Sequence, residues 1–133
     1  MINLLGEKTY YELYIEPTIK QFISRRFENI VRDYFSILSK QGYRKDIKEI
    51  GSLFTSNSEF DCVLKLINND YAIYEAKYLS NPISKQEIRK EILQIKDIKG
   101  INVKEIGFVC SSGYKDKIDD VKYLDLEDIL FIK

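Results

Sequence analysis

Residues 59–78, EFDCVLKLINNDYAIYEAKY, decide the fold that the chain is expected to adopt. Apolar and polar residues alternate in 59–67, and a second run rich in strand-forming residues follows in 71–78. The residues between the two runs, Asn-Asn-Asp at 68–70, have side chains that favour a tight turn. Together these features predict a β-hairpin near the middle of the chain.

Both strands of the predicted hairpin carry charged residues at alternating positions. Side chains two residues apart on a strand share a face, so Glu59 and Asp61 form one pair, and Glu75 and Lys77 form another. A three-residue turn would bring both pairs to one side of the sheet, with Asp61 opposite Lys77. Crowded carboxylates repel one another unless a cation joins them, and Mg²⁺ prefers oxygen ligands. The pattern therefore predicts a metal-dependent phosphodiesterase site.

The chain before the hairpin indicates one helix and one strand. Residues 1–16 are a Tyr-rich lead-in segment, and residues 17–133 are expected to form a single domain. From Pro17, apolar residues recur at helical spacing until Gly42, which suits a helix C-terminal cap. Residues 46–54 then show an imperfect strand pattern, which completes the elements that precede the hairpin.

The chain after the hairpin indicates a second helix and at least one more strand. Ser84 and Glu87 match a capping box at the start of this helix, which is expected to end at Gly100. Residues 104–110 indicate a buried strand, and 121–132 a last strand with a short turn inside it. The order α-β-β-β-α-β predicts an α/β fold with a mixed central sheet flanked by helices.

Composition excludes several classes of function. The chain has 133 residues, of which 44% are hydrophobic and 32% charged, enough for one domain with a sizeable core. It contains no His, which excludes His-ligated zinc sites and His-based catalytic triads. The formal net charge is zero, so nucleic-acid binding would need a local basic patch. A G-x-x-x-x-G-K-[S/T] motif is absent, so the chain is not expected to hydrolyse ATP through a P-loop.

Cysteine usage and hydropathy bear on the compartment. Cys62 and Cys110 lie inside apolar runs, which predicts buried thiols rather than a disulfide scaffold. No apolar run approaches the roughly 20 residues needed to span a membrane, and residues 1–8 lack a secretory signal pattern. We therefore expect a cytoplasmic protein that does not associate with membranes.

Motifs spread along the chain resemble a known nuclease superfamily. In order they are Tyr11-Glu12, Ile15-Glu16-Pro17, Phe22 to Glu28, Glu59 to Val63, Glu75 to Tyr78 and Asn81-Pro82-Ile83. The element order, with acidic motifs on consecutive strands, resembles the PD-(D/E)XK nuclease core, which has a restriction-endonuclease-like fold. Over nearly the whole chain the motifs are similar to the C-terminal domain of archaeal-type (DEXX-box) AAA+ ATPases.

The resemblance implies a metal site and a reaction. The metal-binding and catalytic set would be Asp61, Glu75, the carbonyl of Ala76, Lys77 and Glu28, with Glu59 and Gln94 as accessory residues. The implied cofactor is Mg²⁺ or Mn²⁺, and the implied reaction is phosphodiester hydrolysis by an endonuclease or exonuclease. The implied partners are nucleic acid, chiefly DNA, and an ATPase module in the same or another chain. A homo-oligomer is compatible with this assignment.

The same residues also have simpler interpretations. Glu28 and Arg32 have the spacing of an ion pair on a helix surface, and Asp61 with Lys77 could form a cross-strand ion pair. Glu59 could be the polar start of a strand, and Gln94 a packing or solvent-facing residue. Candidate phosphate contacts, which could equally be solvated basic residues, are Lys85, Arg89, Lys90 and Lys115.

Two classes of function follow from these interpretations. The first is an active Mg²⁺-dependent nuclease domain associated with an AAA+ type ATPase. The second is a catalytically inactive module of the same fold, which would serve regulation, nucleic-acid docking or protein interaction beside an ATPase. The retained acidic residues and lysine favour the first class, whereas the zero net charge favours the second.

Overall fold

The computed structural model describes residues 16–56 and 58–130, with side chains for 21–56 and 58–129. The predicted lead-in segment, except Glu16, lies outside the described residues. The described elements are α1 (Glu16–Lys40), β1 (Ile47–Phe54), β2 (Glu59–Leu66), β3 (Tyr71–Lys77), α2 (Lys85–Lys96), β4 (Val103–Cys110), β5 (Lys122–Leu124) and α3 (Leu126–Leu130).

The strands form one mixed sheet in the order β1-β2-β3-β4-β5. The first three strands are antiparallel neighbours, whereas β4 lies parallel to β3 and β5 lies parallel to β4. The α2 helix makes the crossover that a parallel β3–β4 pair requires. This arrangement confirms the predicted α/β class and the α-β-β-β-α-β order, and it is compatible with a restriction-endonuclease-like core.

Helices cover both faces of the sheet. On one face, the apolar side of α1 packs in a cluster that contains Phe27, Val31, Phe35, Cys62, Leu64, Leu66, Ala72, Tyr74 and Val109. On the other face, Ile88 and Ile95 of α2 are fully buried in two clusters that also contain Val63, Ile73, Phe108 and Cys110. Successive strand residues enter opposite clusters, as strand geometry requires. Both cysteines are buried and free, as predicted.

The predicted end of α1 and the predicted start of α2 are confirmed, but α2 is shorter than expected. The α1 helix ends at Lys40, and Gly42 adopts a φ of +81°, which favours glycine. The Ser84 side chain accepts a hydrogen bond from the Glu87 amide, so the predicted cap of α2 is present. That helix ends at Lys96 instead of near Gly100. None of the helices described here has the length and hydropathy needed to cross a bilayer.

The last predicted strand is wrong over most of its length. Only Lys122–Leu124 pair with β4, and a short helix, Leu126–Leu130, follows. Asp125 and Asp128 exchange hydrogen bonds between side chains and amides, with Asp125 Oδ1 accepting from the Asp128 amide at 3.0 Å. This reciprocal cap turns the chain into a helix where the apolar alternation suggested an extended strand.

A partly buried polar network ties β3 to β4 and to the loop that follows α1. The Tyr74 hydroxyl donates a hydrogen bond to Glu105, whose carboxylate also accepts from Arg44 at 3.1 Å. Arg44 forms a second ion pair with Asp46 at 2.9 Å. The Tyr74 ring lies over Gly107, where an added Cβ would stand 2.1 Å from a ring carbon. The glycine therefore makes room for the tyrosine that completes the network.

Candidate active site

The turn of the β2–β3 hairpin has the predicted odd length but a different register. Lys65 pairs with Tyr71, and the Leu66 amide donates to the Asp70 carbonyl at 2.8 Å, which leaves a three-residue loop. Its last residue, Asn69, has a φ of +68°, as expected in such loops. The predicted pairing of Asp61 with Lys77 is therefore wrong by two residues.

A β-bulge interrupts β2 next to Cys62–Tyr74, the pair farthest from the hairpin turn. Between the pairs Gly51–Val63 and Leu53–Phe60, β2 has one more residue than β1. Phe60 accordingly packs with Val63, whereas Cys62 joins the cluster under α1. The predicted alternation, which placed Phe60 and Cys62 on one face, is wrong at Phe60. Bulges of this kind redirect side chains and are common next to active sites.

The bulge brings Asp61 against α1. Arg32 donates from Nη1 to the Asp61 carbonyl oxygen at 2.7 Å and from Nη2 to Asn29. Glu28 lies beside Asp61, and its pKa is raised by burial, by the Asp61 charge and by hydrogen bonding with the Asp61 carboxyl. Glu28, Asp61 and the exposed Glu59 line one polar cavity of about 530 Å³. Glu28 therefore faces another carboxylate, which a plain surface ion pair with Arg32 would not require.

Glu75 and Lys77 meet α2. The Lys77 amine lies 3.2 Å from Oε1 of Glu91, so Lys77 pairs with this helix residue rather than with Asp61. Glu75 is only 9% exposed, and its Oε1 has no hydrogen-bond partner among the described residues. Burial, followed by the negative charge of Glu91, raises the pKa of Glu75 to about 7, although the charge of Lys77 acts in the opposite direction. The Glu75 carboxylate is therefore held in an unfavourable setting.

The two groups of charged residues act on one another. Beyond the last ladder pair, Cys62–Tyr74, the next positions of the two strands are Asp61 and Glu75. The charges of Asp61 and Glu28 both contribute to the raised pKa of Glu75. These charges therefore interact at the end of the hairpin. The side chains nevertheless lie on opposite faces of the sheet, because Asp61 meets Glu28 on the α1 face, whereas Glu75 and Lys77, which flank the α1-facing Ala76, lie on the α2 face. The prediction that both pairs share one side of the sheet is therefore wrong.

Two of these carboxylates suit a divalent cation. Within residues 16–56 and 58–130, no three Asp, Glu or Cys side chains form a ready-made metal cage. Mg²⁺ is commonly held by one or two carboxylates and several waters, so it needs no such cage. The unpartnered oxygen of Glu75 and the repulsion from neighbouring carboxylates are the features that a bound cation would relieve. By donor chemistry alone, the carboxylates of Asp61 and Glu75 and the carbonyl of Ala76 are oxygen ligands of the kind that Mg²⁺ and Mn²⁺ take.

The remaining sequence-predicted residues are exposed, and two of them line other cavities. Gln94 is exposed and lines a different cavity, with Asp97 and Ile98 among its neighbours. Arg89 lines a third, mostly apolar cavity beside Ile118. The other candidate phosphate contacts are also exposed; they are Lys85, Lys90 and Lys115.

Glu91 is a site residue that the sequence interpretation missed. It lies three positions after Ile88 and four before Ile95, both fully buried, so it is on the inward side of α2. A glutamate on the buried stripe of an amphipathic helix is unusual, because this position normally carries an apolar residue. A charged residue on the apolar stripe of α2 is therefore the sequence feature that could have indicated a role for Glu91.

A comparison with protein families identifies the family of this chain. A family model for archaea bacterial proteins of unknown function, DUF234, matches residues 2–92, well over half of the chain. The chain belongs to the DUF234 family. The DUF234 match includes Glu28, Asp61, Glu75, Lys77 and Glu91, and it ends before Gln94 and Lys115. No curated protein and no solved structure gives a significant match.

Proposed function

We propose that this DUF234 chain is a metal-dependent nuclease that hydrolyses phosphodiester bonds of nucleic acid, with DNA as the first substrate to test. The observation that carries the proposal is the buried Glu75 carboxylate, which has an unpartnered oxygen and lies beside Lys77 and near Asp61. A purely structural glutamate would be expected to have its hydrogen bonds satisfied at this depth. An unsatisfied buried carboxylate is more readily explained by a ligand.

The residues of the site would divide the work as follows. Asp61, Glu75 and the Ala76 carbonyl would hold Mg²⁺ or Mn²⁺, which would polarise a phosphate oxygen and lower the pKa of a bound water. The Lys77 amine would orient the attacking water and stabilise negative charge that develops on the phosphate. Glu28 would keep Asp61 in place from α1, and Arg32 holds the Asp61 backbone through its carbonyl oxygen.

Substrate binding would use local basic groups, because the formal net charge of the chain is zero. Arg25 and Arg32 line the same cavity as Asp61, so they are basic groups that could meet a phosphate there. The two free, buried cysteines are compatible with a cytoplasmic setting, which we carry forward as part of the proposal.

A second candidate function is an inactive module of the same fold that docks nucleic acid or an ATPase module. The ion pair between Lys77 and Glu91 favours it, because that contact occupies an amine which the reaction would need. The two candidates differ in one respect: only the nuclease requires Asp61 and Lys77 for metal-dependent strand cleavage.

Cleavage of plasmid and single-stranded DNA in Mg²⁺, in Mn²⁺ and in EDTA tests the proposal. We expect metal-dependent cleavage by the wild type and a loss of at least about 100-fold in Asp61→Asn and Lys77→Met, since one aligned charged group is commonly worth that much. Matched controls are Asp33→Asn and Lys48→Met, which change exposed residues outside the site. Equal cleavage by all variants would indicate a contaminating nuclease, and equal inactivity would favour the inactive module.

A further inference from the structure

The ion pair between Glu91 of α2 and Lys77 of β3 points to a role for Glu91, which lies outside the acidic motifs of β2 and β3. We propose that Glu91 is a positioning residue, which holds the Lys77 amine in place and away from the Glu75 carboxylate. The inference rests on the proposed function of the same site, because Lys77 needs a fixed position only if it takes part in the reaction.

The contact is close and shielded. Glu91 Oε1 lies 3.2 Å from the Lys77 amine, and the two side chains are 16% and 31% exposed. A lysine side chain has four rotatable bonds and is costly to immobilise, so one good partner decides where its amine points. The Ser84 cap fixes the start of α2 and therefore the height of Glu91 along the helix.

The place of Glu91 on α2 argues against an incidental pair. The neighbours on its face, Ile88 and Ile95, are fully buried, so an apolar residue would pack there at less cost. Replacing a buried ion pair by apolar residues is often neutral or stabilising, so stability alone does not account for the charge. A requirement for a correctly placed Lys77 amine does account for the charge of Glu91.

Glu91 also competes with Glu75 for Lys77. The Lys77 charge lowers the pKa of Glu75, so the amine already interacts with that carboxylate. Without Glu91, Lys77 would be drawn towards the unpartnered oxygen of Glu75. It would then occupy the oxygen that the cation needs and would leave the position from which it could orient water. The second carboxylate therefore keeps Glu75 and Lys77 in separate roles.

Steady-state cleavage by Glu91→Gln and Glu91→Ala tests this role, with Glu87→Gln as control on the same helix. Glu87 is exposed, and its replacement removes the same charge. We expect kcat to fall at least about tenfold in Glu91→Ala with KM within twofold, because misplaced groups impair the chemical step. Glu91→Gln keeps an acceptor oxygen and should retain most of the activity. A kcat of Glu91→Ala within twofold of the wild type, or a loss confined to KM, would overturn the inference.

A double-mutant cycle in urea tests the contact without substrate. Wild type, Glu91→Ala, Lys77→Met and the double variant are compared by their unfolding equilibrium constants. We expect the two substitutions to be non-additive by a factor of at least about three, as for residues in direct contact. Additive effects would overturn the inference even if the protein cleaves DNA. A wild type without metal-dependent cleavage would instead refute the proposed function, and the cycle would still report whether Glu91 holds Lys77.

Discussion

Replacing Glu75 by Gln is expected to stabilise the fold increasingly as pH rises. Burial, together with the neighbouring negative charges, raises the pKa of Glu75 from its ordinary value of 4.5 to about 7, so the folded state binds the proton more tightly than the unfolded chain. The stabilisation from the protonated carboxyl is complete below pH 4.5 and is lost as pH rises through 7. Each tenfold change in protonation corresponds to about 1.4 kcal/mol, so the ionised carboxylate costs about 3 kcal/mol at alkaline pH.

Urea unfolding at pH 5, 7 and 9 measures this cost directly. A glutamine has nearly the shape of a protonated glutamate and never ionises, so Glu75→Gln and the wild type should differ little at pH 5. The free energy of unfolding of the variant should exceed that of the wild type by about 3 kcal/mol at pH 9. Glu87→Gln, which changes an exposed glutamate, should stay within about 0.5 kcal/mol throughout. A difference between Glu75→Gln and wild type that does not change with pH would refute the reasoning.

Three further predictions follow from other contacts. Mg²⁺ at pH 8 should raise the unfolding temperature of the wild type but not of Glu75→Gln, because a bound ligand stabilises only the state that binds it. Equal shifts in the two proteins would show that the cation binds elsewhere. Gly107→Ala should lower the free energy of unfolding in urea by about 1–3 kcal/mol, since the new Cβ would stand 2.1 Å from the Tyr74 ring. An unchanged unfolding curve would contradict that packing. Ser84→Ala should cost about 1 kcal/mol through loss of the α2 cap, with the exposed Ser80→Ala as control, and equal unfolding curves would count against the cap.

The parts of the fold that local chemistry determines were predictable from the sequence. Ser84 with Glu87, and Gly42 after a long amphipathic stretch, each specify a helix end by their own side chains or backbone freedom. The parity of the hairpin turn was predictable for the same reason, because residues 68–70 favour a short loop. The exact register was not, because the loop begins at Ile67, one residue before the turn-forming residues.

The parts that depend on distant neighbours were not predictable. The bulge in β2 is defined only against β1, so a strict alternation in the sequence placed Phe60 on the wrong face. Glu91 has a sequence signal in its place between Ile88 and Ile95, but its pairing with Lys77, 14 residues earlier, depends on how α2 packs on β3. Asp61, Glu75 and Lys77 could be proposed from the sequence because their spacing is local to two strands. Glu28 was expected only through the resemblance, and Glu91 was missed; these two neighbours come from different helices.

The account rests on a divalent cation held jointly by Asp61 and Glu75. Crystals soaked in Mn²⁺, measured at a wavelength where manganese scatters anomalously, test this claim most directly. The account predicts one strong anomalous peak within coordination distance, about 2.0–2.3 Å, of a carboxylate oxygen from each of the two residues. The same soak of Asp61→Asn should lose the peak. In wild-type crystals, the absence of a manganese peak, or a peak that does not contact both carboxylates, would contradict the account.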